Sequence, residues 1–193
     1  MSLLYVRTAK TASSTVNDWM GRDYSLNVTH NIKFLNHGSN EKLIRRAMEE
    51  GWYFFTTVRN PFTRAISQWQ ESIKSLWLNK DTSFEEYFDW NYLKINEHCH
   101  THNCTLTEYL KPYLGDIKRI IKIENLDNEL RTMEQEFNIP KRRIGFFNKA
   151  NYRTRFDYQS FYTDKRIELV LDKYSIDFDT FQYSKNVVDI LYG

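Results

Sequence analysis

Short apolar runs alternate along the chain with stretches whose apolar residues recur every three or four positions. Leu3-Leu4-Tyr5-Val6 is the first run, apolar and partly β-branched as a short buried strand requires. Small hydroxylic residues follow from Thr8 to Thr15 around Lys10, and Val16, Trp19 and Met20 then fall at helical spacing. The expected order is strand, tight turn, helix. A second extended stretch fits residues 27–34. Residues 36–40 read as a turn with Ser39 or Asn40 as a helix cap. Leu43, Ile44, Ala47 and Met48 mark one face of a helix ending at Gly51. Trp52 to Val58 predicts an apolar, aromatic strand. Pro61 suits the first turn of the next helix, where its missing N–H would have no partner anyway. Ile66, Trp69, Ile73 and Leu76 or Trp77 continue that helix.

Between residues 79 and 115 the pattern is weaker. Phe84, Tyr87 and Phe88 suggest one short helix, and Leu106, Tyr109 and Leu110 another before Pro112. Ile120, Ile121 and Ile123 predict a short buried strand running into Glu124-Asn125-Leu126-Asp127. Leu126, Leu130, Met133 and Phe137 then line a helix stopped at Pro140, and a last helix carries Ile167, Val170, Leu171 and Tyr174. Strands alternating with helices of crossover length imply parallel pairing. The expected class is α/β, a three-layer α/β/α sandwich around a central parallel sheet. In such sheets ligands sit at the carboxyl ends of the strands, where the Lys10 turn and Arg59 both fall. No internal repeat or low-complexity linker interrupts the 193 residues, so a single domain, 1–193, is expected.

Composition narrows this only a little. A formal charge of +2 is too small to argue for nucleic acid, and none is expected as a partner. No apolar run has transmembrane length and no signal-peptide pattern is present. Two cysteines, Cys99 and Cys104, make no disulfide framework but could pair across a short loop. Asn27-Val28-Thr29 and Asn103-Cys104-Thr105 fit the glycosylation sequon, which also arises by chance. A cytoplasmic location is expected if the chain is complete. His98, Cys99, His100, His102 and Cys104 are N and S donors of the kind zinc takes, but their spacing fits no common zinc pattern, and no metal is expected. An acceptor-facing loop is the preferred reading, with His102 as a substrate contact. Lys141, Arg142, Arg143, Lys149, Arg153 and Arg155 lie in a stretch without acids. That stretch is either a solvated face or a contact for the cofactor or an anionic acceptor.

Two stretches carry candidate chemistry. A helix N-terminus leaves backbone N–H groups unpaired and carries positive partial charge, so the turn at Lys10-Thr11-Ala12-Ser13-Ser14-Thr15 could hold a phosphate or sulfate. The plainer alternative is a Ser/Thr-capped helix with Lys10 in solvent. A Walker A loop is excluded, because G-x-x-x-x-G-K-[ST] is absent. In the second stretch, Arg59 ends a strand and Ser67 lies about two turns into the next helix. Both could reach one anion, Arg59 through its guanidinium fork. The alternative is that Arg59 and Arg64 pair with carboxylates while Ser67 only packs.

Taken together, KTASST after one strand and VRNPFTRAIS after a later one resemble the two cofactor signatures of sulfotransferases, which use 3′-phosphoadenosine-5′-phosphosulfate (PAPS). The nearer likeness is to the heparan and uronyl 2-O-sulfotransferase branch of the carbohydrate enzymes, with its Arg-[DN]-Pro-x-x-Arg-x-x-Ser segment; IKIENL at 121–126 is similar to that family's later strand and helix start. The resemblance spans roughly residues 3–70 and 118–138. It implies a P-loop NTPase-like sulfotransferase fold and transfer of a sulfuryl group from PAPS to a hydroxyl of a saccharide, releasing 3′,5′-adenosine bisphosphate. In that scheme the Lys10–Thr15 turn holds the 5′-phosphosulfate, Arg59 and Ser67 hold the 3′-phosphate, and Lys149 lies near the cofactor. His37 is the catalytic base, with His30 and Glu71 as rivals, and Arg153 joins His102 at the acceptor. Asn36 and Ser13 stand where relatives have glycine, and Ala9 where proline is common. Ser13 fits only if its backbone avoids a glycine-only conformation. A truncated chain would point to the Golgi lumen. The alternatives are a non-catalytic nucleotide- or glycan-binding member and a nucleotide-dependent kinase; the kinase lacks an evident magnesium-binding acid.

Overall fold

The structure, a computed structural model of the chain, describes residues 2–21, 39–88, 104–145 and 157–191. The described residues include three strands, β1 (Leu3–Val6), β2 (Tyr53–Val58) and β3 (Ile117–Lys122). They form a parallel sheet in the order β1-β2-β3. Leu3 pairs with Tyr53 and Val6 with Thr56; Val58 pairs with Lys122 after a register break between Phe54 and Phe55. Successive strand residues point to opposite faces, and all four β1 residues are buried, so β1 is covered on both sides. The α/β class with parallel pairing is as expected. The stretch at 27–34 lies outside the described residues.

The chain divides into two units, Met1–Val58 with Pro112–Lys149, and Arg59–Lys111 with Ala150–Gly193. The first holds the sheet, α1 (Ser13–Met20), α2 (Ser39–Glu49) and, later in the chain, α6 (Leu126–Glu136). Its core joins Leu3, Tyr5, Val16, Trp19 and Phe55 to Leu126, Leu130 and Met133. Tyr5 stacks on Phe55 at 5.1 Å, and Trp19 meets the same ring edge-on at 6.5 Å. The indole N–H of Trp19 donates to buried Glu134 at 2.9 Å. Burial alone would push the Glu134 carboxyl up, but hydrogen bonds from Arg131, the Arg142 amide and Trp19 hold it below the usual carboxylate range.

The second unit contains α3 (Pro61–Lys74), α4 (Phe84–Tyr87), α5 (Leu106–Leu110), α7 (Tyr158–Phe161) and α8 (Asp164–Thr180). Phe62, Ala65, Ile66, Phe84, Tyr162, Val170, Tyr174 and Phe178 form its core. Helix starts follow local chemistry. Asn60 Oδ1 accepts from the Phe62 amide ahead of Pro61, and Ser83/Glu86 and Thr105/Glu108 form reciprocal capping boxes. Asp177 of α8 accepts from the Leu106 and Thr107 amides, both at 2.8 Å, and lies 3.6 Å from the Arg64 guanidinium. Arg64 also donates to the Cys104 carbonyl at 3.0 Å.

Three details differ from the pattern reading. β3 begins at Ile117 and buries only Ile121; Ile120 is 41% exposed and Ile123 enters a 3₁₀ turn. Ile120 and Ile121 point to opposite faces of the sheet, and at this end of β3 only the face of Ile121 is covered. Met48 is 39% exposed, because the α2 stripe narrows at its end. Helix α3 stops at Lys74, and Leu76 is 87% exposed with φ 58°. The Leu76 amide donates to Ile73 and the Trp77 amide to Ser72, which closes a Schellman motif with leucine where glycine is usual. Gly51 and Asn138 occupy the same left-handed position after α2 and α6.

Candidate functional site

The turn after β1 is built on two left-handed residues that are not glycine. Lys10 has φ 63° and Ala12 has φ 60°. Each such residue is disfavoured by about 1–2 kcal/mol. Ala12 is the N-cap of α1 and, having no side-chain acceptor, makes no side-chain cap. The capped-helix alternative is therefore not what forms, although four hydroxylic residues stand nearby. As at any helix N-terminus, the first amides of α1 have no acceptor within the helix, and Lys10 and Ala12 are half-exposed and Ser14 exposed around them. Ser13 is the first helical residue and takes no positive φ, so its replacement of glycine carries no strain.

Under the turn lies a set of buried hydroxyls that the sequence did not single out. Tyr5 Oη meets Thr57 Oγ1 at 2.7 Å, and Thr57 Oγ1 donates to Thr11 Oγ1 at 3.0 Å. Thr8 Oγ1 donates to the Thr57 carbonyl at 2.6 Å and meets Thr11 Oγ1 at 2.6 Å. Burial pushes the Tyr5 phenol up to about 12 against the opposing hydrogen bonds from Thr57 and Thr11. Tyr5 is therefore a neutral donor. Thr11 is fully buried with its hydroxyl engaged here, so it can meet a ligand only through its backbone.

In the second unit, Arg59 Nε donates to Thr63 Oγ1 at 2.9 Å, and that hydroxyl donates to the Asn60 carbonyl at 3.1 Å. Thr63 and Ser67 are one turn apart on α3, both half-buried, so they lie on one stripe. Thr63 was not read as a site residue, yet its spacing of four from both Arg59 and Ser67 was the available signal. Glu71 continues the stripe and accepts from the Ser75 hydroxyl at 3.2 Å. Arg64, flanking that stripe on α3, is 1% exposed and paired with the Asp177 carboxylate, which makes it a packing residue. His30, His37, His102, Lys149 and Arg153 lie outside the described residues, as does Cys99, so its pairing with Cys104 is not described.

The structure thus shows a parallel α/β sheet with a half-exposed lysine in the turn after β1, and, directly after β2 in the chain, an arginine bonded to a threonine hydroxyl. The family model described as the sulfotransferase family matches residues 1–184. The chain belongs to that family and is a transferase of sulfuryl groups by membership. No curated protein and no solved structure matches it. Among the described residues, no helix is long and apolar enough to cross a membrane.

Proposed function

We propose that the chain transfers a sulfuryl group from PAPS to a hydroxyl of a carbohydrate, working as one domain with a three-layer, P-loop NTPase-like sulfotransferase fold. The carrying observation is the turn itself, with left-handed Lys10 and Ala12 ahead of an α1 N-terminus that has no side-chain cap. Strained non-glycine backbone persists where it has a use, and consecutive outward amides suit an anion. Parallel pairing of β1 and β2 supports the reading further, because both strands end at one edge of the sheet. Burial of β1 on both faces agrees with three layers.

The residue types suit a nucleotide with anionic groups at two ends. The turn amides, Lys10 and Ser14 would take the 5′-phosphosulfate, and Arg59, Thr63 and Ser67 the 3′-phosphate; Lys149 would add positive charge. When bound, PAPS supplies the sulfuryl group and a bisphosphate leaving group. Lys10 and the amides offset charge that grows on the leaving phosphate oxygen, in the manner of phosphoryl transfer. His37 accepts the acceptor hydroxyl's proton, a role suited to an imidazole near neutrality. His102 and Arg153 would contact the saccharide.

Lys10→Ala and Arg59→Ala should each lose transfer to a panel of glycans while remaining folded by circular dichroism. His37→Ala should lower turnover by about 10²–10⁴-fold with affinity for 3′,5′-adenosine bisphosphate retained. Wild-type turnover in both Lys10→Ala and Arg59→Ala would overturn the assignment.

A further inference from the structure

We infer that Thr57, on the strand beside the turn and outside both signatures, is a positioning residue for donor binding: its hydroxyl fixes the backbone shape of the Lys10 turn through Thr11 and Thr8. The inference rests on the reading of that turn as the donor site, and deepens it.

Proton counting orders the buried hydroxyls. Each carries one proton. Thr8 uses its own on the Thr57 carbonyl at 2.6 Å, and Thr57 uses its own on Thr11 at 3.0 Å. Thr11 therefore turns its proton back toward Thr8, whose carbonyl lies at 3.0 Å and whose Oγ1 lies at 2.6 Å. Tyr5, neutral and fully buried, is left to donate to Thr57 Oγ1 at 2.7 Å. The loop of bonds starts and ends on Thr57, once through its side chain and once through its carbonyl. Thr8 and Thr11 bracket Lys10, and Ala12 follows directly. Two left-handed residues oppose this turn. Four buried hydrogen bonds hold it against that strain. Without the Thr57 hydroxyl, Tyr5 loses its 2.7 Å partner, Thr11 loses a donor, and the turn can relax toward ordinary backbone in which the amides diverge.

The neighbouring residue supplies the control. Thr56 is also fully buried on β2, but its hydroxyl donates to the Val6 carbonyl at 2.7 Å and has no link to Thr11. Thr57→Val and Thr56→Val are both isosteric and suit a strand. Dissociation constants for 3′,5′-adenosine bisphosphate should be measured by calorimetry at a temperature where every variant is folded. Thr57→Val should bind about tenfold more weakly, or about 1.4 kcal/mol. Thr57→Ser should bind within about twofold of wild type, the hydroxyl being restored. Thr56→Val should lose thermal stability but bind as wild type does. Wild-type binding by Thr57→Val beside lost binding in Lys10→Ala overturns the inference and leaves the donor site standing. Equal weakening in Thr56→Val and Thr57→Val overturns it as well, since general destabilisation then accounts for both. Unchanged binding in Lys10→Ala removes the donor-site reading, and this inference with it.

Discussion

Lys173 makes the stability of the second unit depend on pH in an unusual direction. Its Nζ is buried without a hydrogen-bond partner. The rings of Phe88, Tyr174 and Tyr87 surround it at 5.2, 5.4 and 5.7 Å. Burial, and then the positive charge of Arg64 on α3, bring its pKa down to about 7, against a smaller opposing effect of the Cys104 thiol. A lysine in the unfolded chain titrates near 10.4. Between pH 7 and pH 10.4 the unfolded chain therefore binds more protons than the folded one, and stability rises with pH. Integrating the single site from pH 7 to pH 10 gives about 3 kcal/mol; the three rings favour the ammonium by about 1 kcal/mol, leaving about 2. Lys173→Met removes the titrating group and keeps the stem's volume. Urea unfolding of both proteins at pH 7, 8, 9 and 10 isolates the effect, because the buried tyrosines they share cancel in the difference. Lys173→Met should be the more stable protein at pH 7, with the gap closing by about 2 kcal/mol at pH 10. A gap that stays constant across that range would refute the reasoning, since it would mean that Lys173 titrates alike in the folded and unfolded chains.

Other outcomes follow from single contacts. Asp177→Ala should destabilise by about 3–5 kcal/mol in chemical denaturation, because it strands buried Arg64 and uncaps α5 together. Thr63→Val should weaken binding of 3′,5′-adenosine bisphosphate several-fold, about 1 kcal/mol, as Arg59 loses the hydroxyl at its Nε; Thr63→Ser should not. Leu76→Gly should raise the melting temperature by about 2–4 °C, since it relieves a left-handed leucine that is 87% exposed. Unchanged melting there would mean that the Schellman geometry carries no penalty.

Much of the fold was legible because local signals agreed with tertiary ones. Val16, Trp19 and Met20, or Leu126, Leu130 and Met133, are buried where the helical period put them. S-x-x-E at Ser83 and T-x-x-E at Thr105 mark real capping boxes. Errors arose where burial depended on neighbours far along the chain. Ile120 looks like a core residue by composition, yet it points to the face of β3 opposite buried Ile121 and stays 41% exposed there. The end of α3 was misplaced for a different reason. Leu76 and Trp77 continue the apolar period, but the helix closes through backbone bonds that any residue tolerating positive φ can make. The Arg64–Asp177 pair joins residues more than a hundred positions apart, and no periodicity announces it.

The turn after β1 shows in the sequence as a run of small hydroxylic residues around a lysine, and its backbone conformation does not show there at all. Residue preference would place the cap of α1 on a hydroxyl: Thr11, Ser13 and Ser14 all lie within two positions of Ala12, and any of them would satisfy an amide that alanine leaves facing outward. Thr11 instead turns inward to Thr8 and Thr57, and the helix opens on a left-handed alanine. An isolated helix gains nothing from this. It forgoes a cap of about 1 kcal/mol and accepts strain of similar size. Both penalties fall on the same few residues, at a carboxyl strand end, where an arriving anion would recover them by bonding to the amides. The inward-facing threonines thus tie a motif visible in sequence to a backbone conformation that sequence does not show. Lys10→Ala tests whether that turn binds the donor, and Thr57→Val tests how its shape is held.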